Sequence, residues 1–372
     1  RDSSTSRGLG DVYKRQFVDG EKSLYINPAG LVSSDLTWEK ASTFNIGLDF
    51  TMLNQRLDFS FDWYQRTTSD MLVKVEYPEV LGTTAPPANK AELRTRGWEV
   101  SVKWNDRIGN DFSYDLGFIL SDSQAEITKY ENPSGTLSDY YVGQKIGEIW
   151  GYETEGFYQS DTDVQNHADQ SKLGANWAPG DIMYKDLDGN KKINNGSNTL
   201  DDHGDLKVIG NTTPRYQYGI TANMSYKNVY LNVFFQGIGK RDFWPSSQPF
   251  WPVATQYYNT QKWFVTDSWS EDNRDAYFAR PIARETKNQQ KQTKYLQDAS
   301  YCRLKNLTVG YDFPKSWLSF LHVAKAGVYF SAENLFEFTN VKGAYDPEAA
   351  GKNGTMVYPF QRTYSFGLNV TF

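Results

Sequence analysis

The stretch TYSFGLNVTF, residues 363–372, decides the fold class because apolar and small polar side chains alternate strictly along it. Every even position carries an aromatic or aliphatic side chain, and Ser365, Gly367, Asn369 and Thr371 stand between them. Side chains of a β-strand alternate between the two faces of a sheet, so the pattern predicts a strand with one apolar and one polar face. Chain ends fray unless they are held in place. We therefore expect this strand to be paired and its apolar face to be covered by a protein core or by lipid.

The same alternation recurs along the chain and predicts an all-β fold. The further segments that show it are FNIGLDF, LDFSFDWY, GWEVSVKW, FSYDLGFIL, YQYGITANMSY, VYLNVFF, LKNLTVGYDF and AGVYFSAENLF. With the closing strand they make about ten antiparallel strands, most of them about 8–11 residues long, which is the length that crosses a bilayer at a tilt.

The predicted connections between these strands alternate between short and long. Short connections are expected at 51–56, 105–111, 227–228 and 312–324, and long ones at 65–92, 121–214, 237–300 and 332–361. Barrels of the outer-membrane type have short periplasmic turns and long extracellular loops. The alternation therefore favours a membrane barrel over a soluble β-sandwich.

Aromatic side chains near the predicted strand ends support the same interpretation. They are Trp63, Tyr64, Trp98, Trp104, Tyr226 and Tyr230. Membrane barrels carry girdles of aromatic residues at both lipid interfaces. The alternative is that these rings fill the core of a sandwich.

Composition excludes some classes of protein. The chain has 372 residues, a net charge of -6, 23% charged and 16% aromatic residues, and a mean hydropathy of -0.65. The negative charge, without any run of Lys and Arg, argues against a nucleic-acid partner. No stretch approaches the roughly 18 consecutive apolar residues of a membrane helix. The single cysteine, Cys302, cannot form an internal disulfide.

The sequence contains no recognisable catalytic motif. His167, His203 and His322 are scattered, and Cys302 lies within a strand pattern without a nearby histidine. The metalloprotease, nucleophile-elbow and phosphate-loop patterns do not occur. We therefore expect a protein that is not an enzyme and that requires no cofactor.

The N-terminal segment RDSSTSRGLGDVYKRQ, residues 1–16, carries no strand or helix pattern. DVYKRQ is the translation of GAT-GTG-TAT-AAG-AGA-CAG, a transposon end used in sequencing libraries. We therefore expect residues 1–16 to be a non-native or disordered tail on a truncated open reading frame that begins near Phe17. The missing secretory signal then carries no information. The alternative is a native flexible tail.

Ordered segments between Leu36 and Phe372 carry a family resemblance. They are LTWEKASTFNIGLDF, LDFSFDWYQRTTSDML, AELRTRGWEVSVKW, VGQKIGEIWGYETEGFYQ, PGDIMYKDLDGNKKIN, VIGNTTPRYQYGITANMSYKNVYLNVFFQGIGKRD, YCRLKNLTVGYDFPKSWL, VYFSAENLFEFT, YDPE and YPFQRTYSFGLNVTF. In this order they resemble the C-terminal part of a SusC/RagA-type TonB-dependent outer-membrane transporter. Each segment alone is a weak signal, but the ordered set is specific to that family.

The resemblance implies that residues 17–372 are the C-terminal portion of a 22-stranded antiparallel transmembrane β-barrel in the outer membrane, in contact with its lipid. It implies TonB-driven import of a nutrient, oligosaccharide first and peptide second, together with a SusD-like surface lipoprotein. The plug, the TonB box and the first half of the barrel have no counterpart in the sequence. We therefore expect coupling to the TonB complex through a missing N-terminal part. The final Phe372 resembles the aromatic signal that the barrel-assembly machinery reads.

The alternative from another class is a secreted all-β glycan-binding module or glycosidase accessory domain. Such a module would fold from aqueous solution and bury the apolar side chains in one closed core. A barrel wall would turn them outward to lipid. Phe366, Leu368 and Val370 discriminate between the two classes, because an opposing protein layer would cover them only in the soluble module.

The segment DLDGNKKINN, residues 186–195, resembles a calcium-binding loop. Hard cations such as Ca²⁺ take oxygen ligands that alternate along a tight loop. The candidate ligands are Asp186, Asp188, Asn190, Lys192 through its carbonyl, Asn194 and, from further along the loop, Asp202, with Asp201 or Asp205 as substitutes for Asp202. The match is imperfect, since the glycine stands at position 4 and Ser197 replaces the usual glutamate at position 12. The alternative is an Asx/Gly turn.

The long connection after FFQGIGKRD is rich in aromatic residues and proline. Aromatic side chains on an exterior loop suit stacking on sugar rings or contact with a partner protein. The candidates for substrate or partner contact are Trp244, Trp251, Tyr257 and Tyr258. The alternative is that these rings pack the loop against itself.

Overall fold

The computed structural model describes residues 13–18, 21–26, 36–74, 86–247, 250–253, 259–319, 322–343, 345–349 and 360–372. In chain order its strands are β1 (Tyr13–Val18), β2 (Glu21–Ile26), β3 (Lys40–Met52), β4 (Leu57–Lys74), β5 (Pro87–Ile108), β6 (Phe112–Lys129), β7 (Glu148–Tyr152), β8 (Thr154–Phe157), β9 (Ile182–Tyr184), β10 (Leu206–Asn211), β11 (Arg215–Tyr226), β12 (Val229–Lys240), β13 (Asp242–Phe243), β14 (Gln297–Asp298), β15 (Tyr301–Asp312), β16 (Lys325–Thr339) and β17 (Thr363–Thr371). The helical segments are short and are Asp161–Asn166, Lys262–Thr266, Lys315–Leu318 and the 3-10 turn Lys287–Gln289. Among the residues described, no helix has the length and apolar character needed to span a membrane.

Nine strands form one antiparallel sheet in the order β3-β4-β5-β6-β11-β12-β15-β16-β17. Neighbours in the sheet are successive among these nine strands along the chain, so successive connections emerge at opposite ends of the sheet. The short connections, 53–56, 109–111, 227–228 and 313–324, all lie at one end, which we call the turn end. The long connections, 75–86, 130–214, 241–300 and 340–362, belong to the other end, the loop end. The predicted alternation of short and long connections is confirmed.

The register of the nine strands places most of their apolar positions on the same face, although Ile119 and Phe234 lie on the other. One row across the sheet pairs Phe366 with Phe330, Phe330 with Val309, Val309 with Leu231, and Leu231 with Met224. Side chains at the alternate positions, most of which are small or polar, point to the opposite side. The sheet therefore has an apolar face and a polar face that are continuous from its first strand to its last.

The apolar face is uncovered within the described part of the chain. Phe366 is 84% exposed, Leu368 66% and Phe44 60%. A soluble sandwich would place such side chains beneath a second layer, where they would be almost fully buried. The exposure contradicts the secreted-module alternative and agrees with an apolar face that meets lipid.

Eight of the nine strands are longer than the predicted 8–11 residues, and β5 reaches 22 residues, whereas β17 has nine. Its uninterrupted outward apolar positions run from Trp98 to Trp104, a rise of about 20 Å along the strand, and Ile108 follows beyond the polar Asp106 at the turn end. Just beyond Trp98 the outward row becomes polar, because Arg96 donates from Nε to Gln65 at 2.8 Å. The apolar band thus has the height of a bilayer core, about 25 Å in membrane barrels, and the strands extend past it at the loop end.

Two of the predicted girdle residues are on the other face. Trp63, Trp98 and Trp104 occupy outward positions, but Tyr64 and Tyr230 lie on the polar face, so the girdle assignment was wrong for these two tyrosines. Each ring covers the glycine directly opposite on the next strand. A Cβ at Gly97 would lie 2.5 Å from Tyr64 Cζ, and one at Gly310 would lie 2.1 Å from Tyr230 Cζ. Aromatic rings commonly cover glycine in this way across neighbouring strands.

The two longest connections fold together into a compact unit, which we call the loop domain (residues 130–214 and 241–300). It contains three two-stranded sheets, β7 with β10, β8 with β9, and β13 with β14. Its core is largely aromatic and comprises Tyr152, Phe157, Ile182, Tyr184, Ile193, Phe250, Trp251, Phe264, Trp269, Ala276, Phe278, Ala279 and Tyr295. The loop domain continues directly from the sheet, since Ile146 N donates to Ala125 O at 2.9 Å and Gly143 N donates to Ile127 O at 2.8 Å.

A separate hairpin pairs β1 with β2. β1 begins at Tyr13, so residues 13–16, which lack a recognisable pattern in the sequence, belong to a strand. Residues 1–12 lie outside the described residues. The interpretation of residues 1–16 as a non-native or disordered tail stays a prediction.

Candidate functional site

The acidic loop of the loop domain brings together three carboxylates. Oxygen atoms of Asp186, Asp188 and Asp205 all lie within 4.8 Å of one another. Asp186 Oδ1 accepts from Gly189 N at 2.8 Å and Oδ2 accepts from Lys191 N at 2.8 Å, which closes the loop. Carboxylate oxygens in such a group are the ligands that Ca²⁺ takes.

Asp205 is the buried member of this group. Its side chain is fully buried, and it accepts hydrogen bonds from Leu187 N at 2.7 Å and from Asn194 N at 2.9 Å. Burial raises the pKa of Asp205, and the neighbouring charges of Asp188 and Asp186 raise it further. A divalent cation at this position would offset the repulsion among the three carboxylates.

Asp205, and not Asp202, is the carboxylate from further along the loop that lies close to Asp186 and Asp188. Asp202 is outside the group, because its Oδ2 accepts from Ser197 N at 2.9 Å and from Ser197 Oγ at 2.6 Å. These hydrogen bonds lower the pKa of Asp202. Asp205 is therefore the carboxylate that lies beside Asp186 and Asp188, and the role of Asp202 as a ligand stays a prediction.

The amide residues of the predicted site form local turns. Asn190 Oδ1 accepts from Lys192 N at 2.7 Å, and Asn194 Oδ1 accepts from Gly196 N at 2.7 Å. The carbonyl of Lys192 accepts from Asn194 Nδ2 at 3.1 Å. The Asx-turn alternative thus describes Asn190 and Asn194. Calcium binding stays a prediction, with Asp186, Asp188 and Asp205 as its anionic ligands.

The aromatic candidates in the second long connection are part of the core. Trp251 is buried and donates from Nε1 to Pro245 O at 2.6 Å, and Trp244 packs against it with ring centroids 6.0 Å apart. The structure therefore favours the alternative that these two rings pack the loop against itself. Tyr257 and Tyr258 lie outside the described residues, so their assignment to substrate or partner contact stays a prediction.

The loop domain has a charged centre that the sequence did not indicate. Asp181 is fully buried and bonds Arg280 through two contacts of 2.8 Å. Lys287, also buried, reaches the same carboxylate at 3.0 Å. These residues stand about a hundred positions apart in the chain, so no local pattern could have revealed the cluster. Buried charges of this kind require close partners, and here they fix the two connections to each other.

A bulge in β15 turns two cations toward the polar face. The register with β12 shifts between Phe234 and Phe235, and Lys305 is the additional residue. In a strand of unbroken alternation, Arg303 and Lys305 would share the face of Leu307. A bulge changes which side of a sheet the following side chains occupy. Arg303 consequently pairs across the sheet with Gln236 and points to the polar side, a feature that strict alternation in the sequence hides.

The polar face of β11 to β17 is mostly neutral. One row crosses five strands, pairing Asn223 with Asn232, Asn232 with Thr308, Thr308 with Ser331, and Ser331 with Ser365. The Thr308 and Ser331 hydroxyls are hydrogen-bonded at 3.0 Å. This part of the face offers hydroxyl and amide groups to a ligand without a strong field of either sign.

The polar face of β3 to β6 is more acidic than that of β11 to β17. At the turn end, these two parts of the polar face meet in a cleft. The carboxylates at polar-face positions are Asp49, Asp58, Asp62, Glu99 and Asp115. Lys103, which lies 3.3 Å from Asp115, Arg66 and Arg107 are cations at polar-face positions of the same strands. The cleft has a volume of about 720 Å³ and is lined in part by Asp115, Asn223 and Asn232. The face can therefore hold a large polar ligand or a packed polypeptide.

The sheet is an antiparallel meander with an exposed apolar band, a polar opposite face and its long connections at one end. These are the features of the wall of a membrane β-barrel. Comparison with known proteins assigns the family. The chain belongs to the TonB dependent receptor-like, beta-barrel family, whose model matches residues 5–335. This is a family of receptors and transporters. The absence of enzymatic activity in this chain stays a prediction.

Curated relatives match across nearly the whole chain. TonB-dependent receptor P3 of Formosa agariphila is 30% identical over 366 residues, covering 91% of this chain and 35% of the relative. TonB-dependent receptor SusC of Bacteroides thetaiotaomicron is 27% identical, covering 91% of this chain and 32% of the relative. The chain thus spans about a third of the length of the relatives it matches.

A solved structure has the same fold. The RagAB peptide transporter aligns with a TM-score of 0.70 and 24% identity, covering 97% of this chain and 38% of the transporter chain. At this identity the likeness establishes the fold of the barrel wall and the loop domain, and nothing about the cargo.

Proposed function

We propose that this chain forms the C-terminal barrel part of an outer-membrane receptor that imports a nutrient with energy from the TonB complex. The observation that carries the proposal is the continuous, uncovered apolar face of the nine-stranded sheet, with Phe366 at 84% exposure. Lipid is the environment in which such a face is stable. The coupling to TonB belongs to the part of the relatives that this chain does not match.

A SusD-like surface lipoprotein is the proposed partner. All four long connections belong to one end of the sheet, and two of them fold into the loop domain, so a partner has a formed surface to dock on. The relationship to SusC supports this partner. Barrels of this type carry their long loops outside the cell, which is where a surface lipoprotein lies.

The proposed cargo is an oligosaccharide. The row from Asn223 to Ser365 presents hydroxyl and amide groups in register, and such groups hydrogen-bond neutral sugars without a charge requirement. A peptide is the second candidate, favoured by the structural likeness to a peptide transporter.

Uptake by cells that carry the receptor tests the function. We expect labelled neutral oligosaccharides to enter cells with an intact TonB system and to be excluded when TonB is deleted. Uptake of oligopeptides that likewise requires TonB would establish nutrient import and would show that the cargo is a peptide and not an oligosaccharide. Uptake that is indifferent to TonB would contradict the proposal.

Two further assignments are proposals about this chain. Phe372, which is 91% exposed, serves as the signal for the barrel-assembly machinery. Its replacement, Phe372→Gln, is expected to lower the amount of heat-modifiable receptor in outer membranes, and an unchanged amount would remove the assignment. The second proposal is that Asp186, Asp188 and Asp205 bind calcium.

A further inference from the structure

The last long connection contains a short segment that contacts both the loop domain and the sheet. We call residues 345–349 the strap. At its first residue, the ring of Tyr345 lies 5.3 Å from that of Phe243 and 6.2 Å from that of Phe250, measured between centroids. The Tyr345 hydroxyl is also hydrogen-bonded to Ser247 Oγ. The strap is therefore anchored in the aromatic packing of the loop domain.

The carboxylates of the strap bind the two cations that the bulge of β15 turns inward. Asp346 Oδ2 accepts from Arg303 Nη2 at 2.7 Å, and Glu348 Oε2 accepts from Arg303 Nη1 at 2.6 Å. Lys305 Nζ donates to both oxygens of Glu348, at 3.1 and 3.0 Å. The ring of Phe360 lies over both cations, 5.0 Å from Arg303 Cζ and 4.8 Å from Lys305 Nζ.

Arg303 depends on the strap for its hydrogen bonds. The side chain is fully buried, and its Nε has no hydrogen-bond acceptor among the described residues, although Glu337 Oε2 lies 3.3 Å away as an ion-pair partner. Asp346 and Glu348 thus bind the two terminal nitrogens. A buried guanidinium is strongly unfavourable unless charged partners bind it and its donors are satisfied. Release of the strap would leave Glu337 as the one ion-pair partner of Arg303 among the described residues.

We propose that the strap couples the packing of the loop domain to the barrel wall. Tyr345 and the carboxylates of Asp346 and Glu348 are within four positions of one another, so a displacement at one end is transmitted to the other. Loss of the contacts to Arg303 then loosens the aromatic core around Phe250 and Phe278, although neither residue touches Arg303. The proposal concerns the internal mechanics of the receptor and holds for any cargo.

Hydrogen exchange in the receptor, purified from outer membranes, tests the coupling. The variant D346N/E348Q keeps the shape of the strap and removes its charges. We expect amide exchange to accelerate at least tenfold both in the strap and in residues 263–279 of the loop core. Exchange at the centres of β11 and β12 is expected to stay unchanged, since the described hydrogen bonds, ion pairs and ring contacts of the strap do not involve those strands. Backbone exchange reports local opening of this kind.

A matched control and a milder variant complete the experiment. Glu333 is an exposed carboxylate on the polar face of β16, for which the described residues show no ion pair, and Glu333→Gln is expected to exchange like the unaltered receptor. Lys305→Gln leaves both strap contacts of Arg303 in place and is expected to give an intermediate acceleration, which also serves if the double variant fails to assemble. Faster exchange confined to the strap, or no change at all, would overturn the coupling.

Discussion

Gly310 shows how a single residue fixes the packing of the polar face. It lies between Tyr230 on one neighbouring strand and Tyr329 on the other, each directly opposite in register. The Tyr230 ring occupies the space that a side chain at 310 would need, with Cζ 2.1 Å from an ideal Cβ. The glycine is required here for close approach of an aromatic ring rather than for a special backbone angle.

A side chain at this position is expected to destabilise the sheet. Gly310→Val must displace the Tyr230 ring, and overpacking of this kind costs about 1–3 kcal/mol. The midpoint of heat unfolding of the receptor, followed by the gel shift between folded and unfolded forms, should fall. Ser365→Ala, a change at an exposed polar-face position, provides the control and should leave the midpoint unchanged. Equal midpoints for Gly310→Val and the unaltered receptor would refute this account of the glycine.

At the scale of elements, the faces of strands that alternate without interruption could be predicted, and the faces of residues beyond a bulge could not. β17 alternates from Tyr364 to Val370, and its face is as the sequence indicates. In β15 the extra residue Lys305 reverses the alternation, and the sequence shows neither that reversal nor the partners of Arg303. A bulge is set by pairing with strands distant in the chain, so local periodicity cannot reveal it.

The same limit applies to the acidic loop. Its tight turn around Asp186 and Asp188 follows from the order of residues, because Asx turns form locally. The choice between Asp202 and Asp205 depends on how the chain returns to that turn, and only the structure places Asp205 there. Likewise, the burial of Trp251 results from packing between two long connections.

Calcium is expected to protect this loop. With Ca²⁺ present, proteolysis within residues 186–205 should be slower than in chelator, because the cation links Asp186, Asp188 and Asp205. Asp188→Asn should abolish the protection, and Asp202→Asn should retain it. Because burial raises the pKa of Asp205, protons should compete with the cation at a higher pH than at an ordinary aspartate. Equal rates of proteolysis with and without calcium would contradict calcium binding at this loop.

At the scale of the whole molecule, the nine-stranded sheet needs lipid on one face and further strands at its sides. β3 and β17 are the edge strands of this sheet, each with one row of backbone groups that no described strand pairs. In hydrocarbon each unpaired backbone group costs several kcal/mol. We therefore expect the sheet to be stable as part of a closed barrel wall.

The most direct test of the account measures what surrounds each position of the last strand. Spin labels are attached to single cysteines at residues 364–370 in the receptor in outer membranes, after Cys302→Ser removes the native thiol. Leu368 and the other even positions should collide with oxygen dissolved in lipid, and Asn369 and the other odd positions with a water-soluble nickel complex. Low collision rates with both reagents at Phe366 and Leu368 would mean a protein interior and would contradict the barrel.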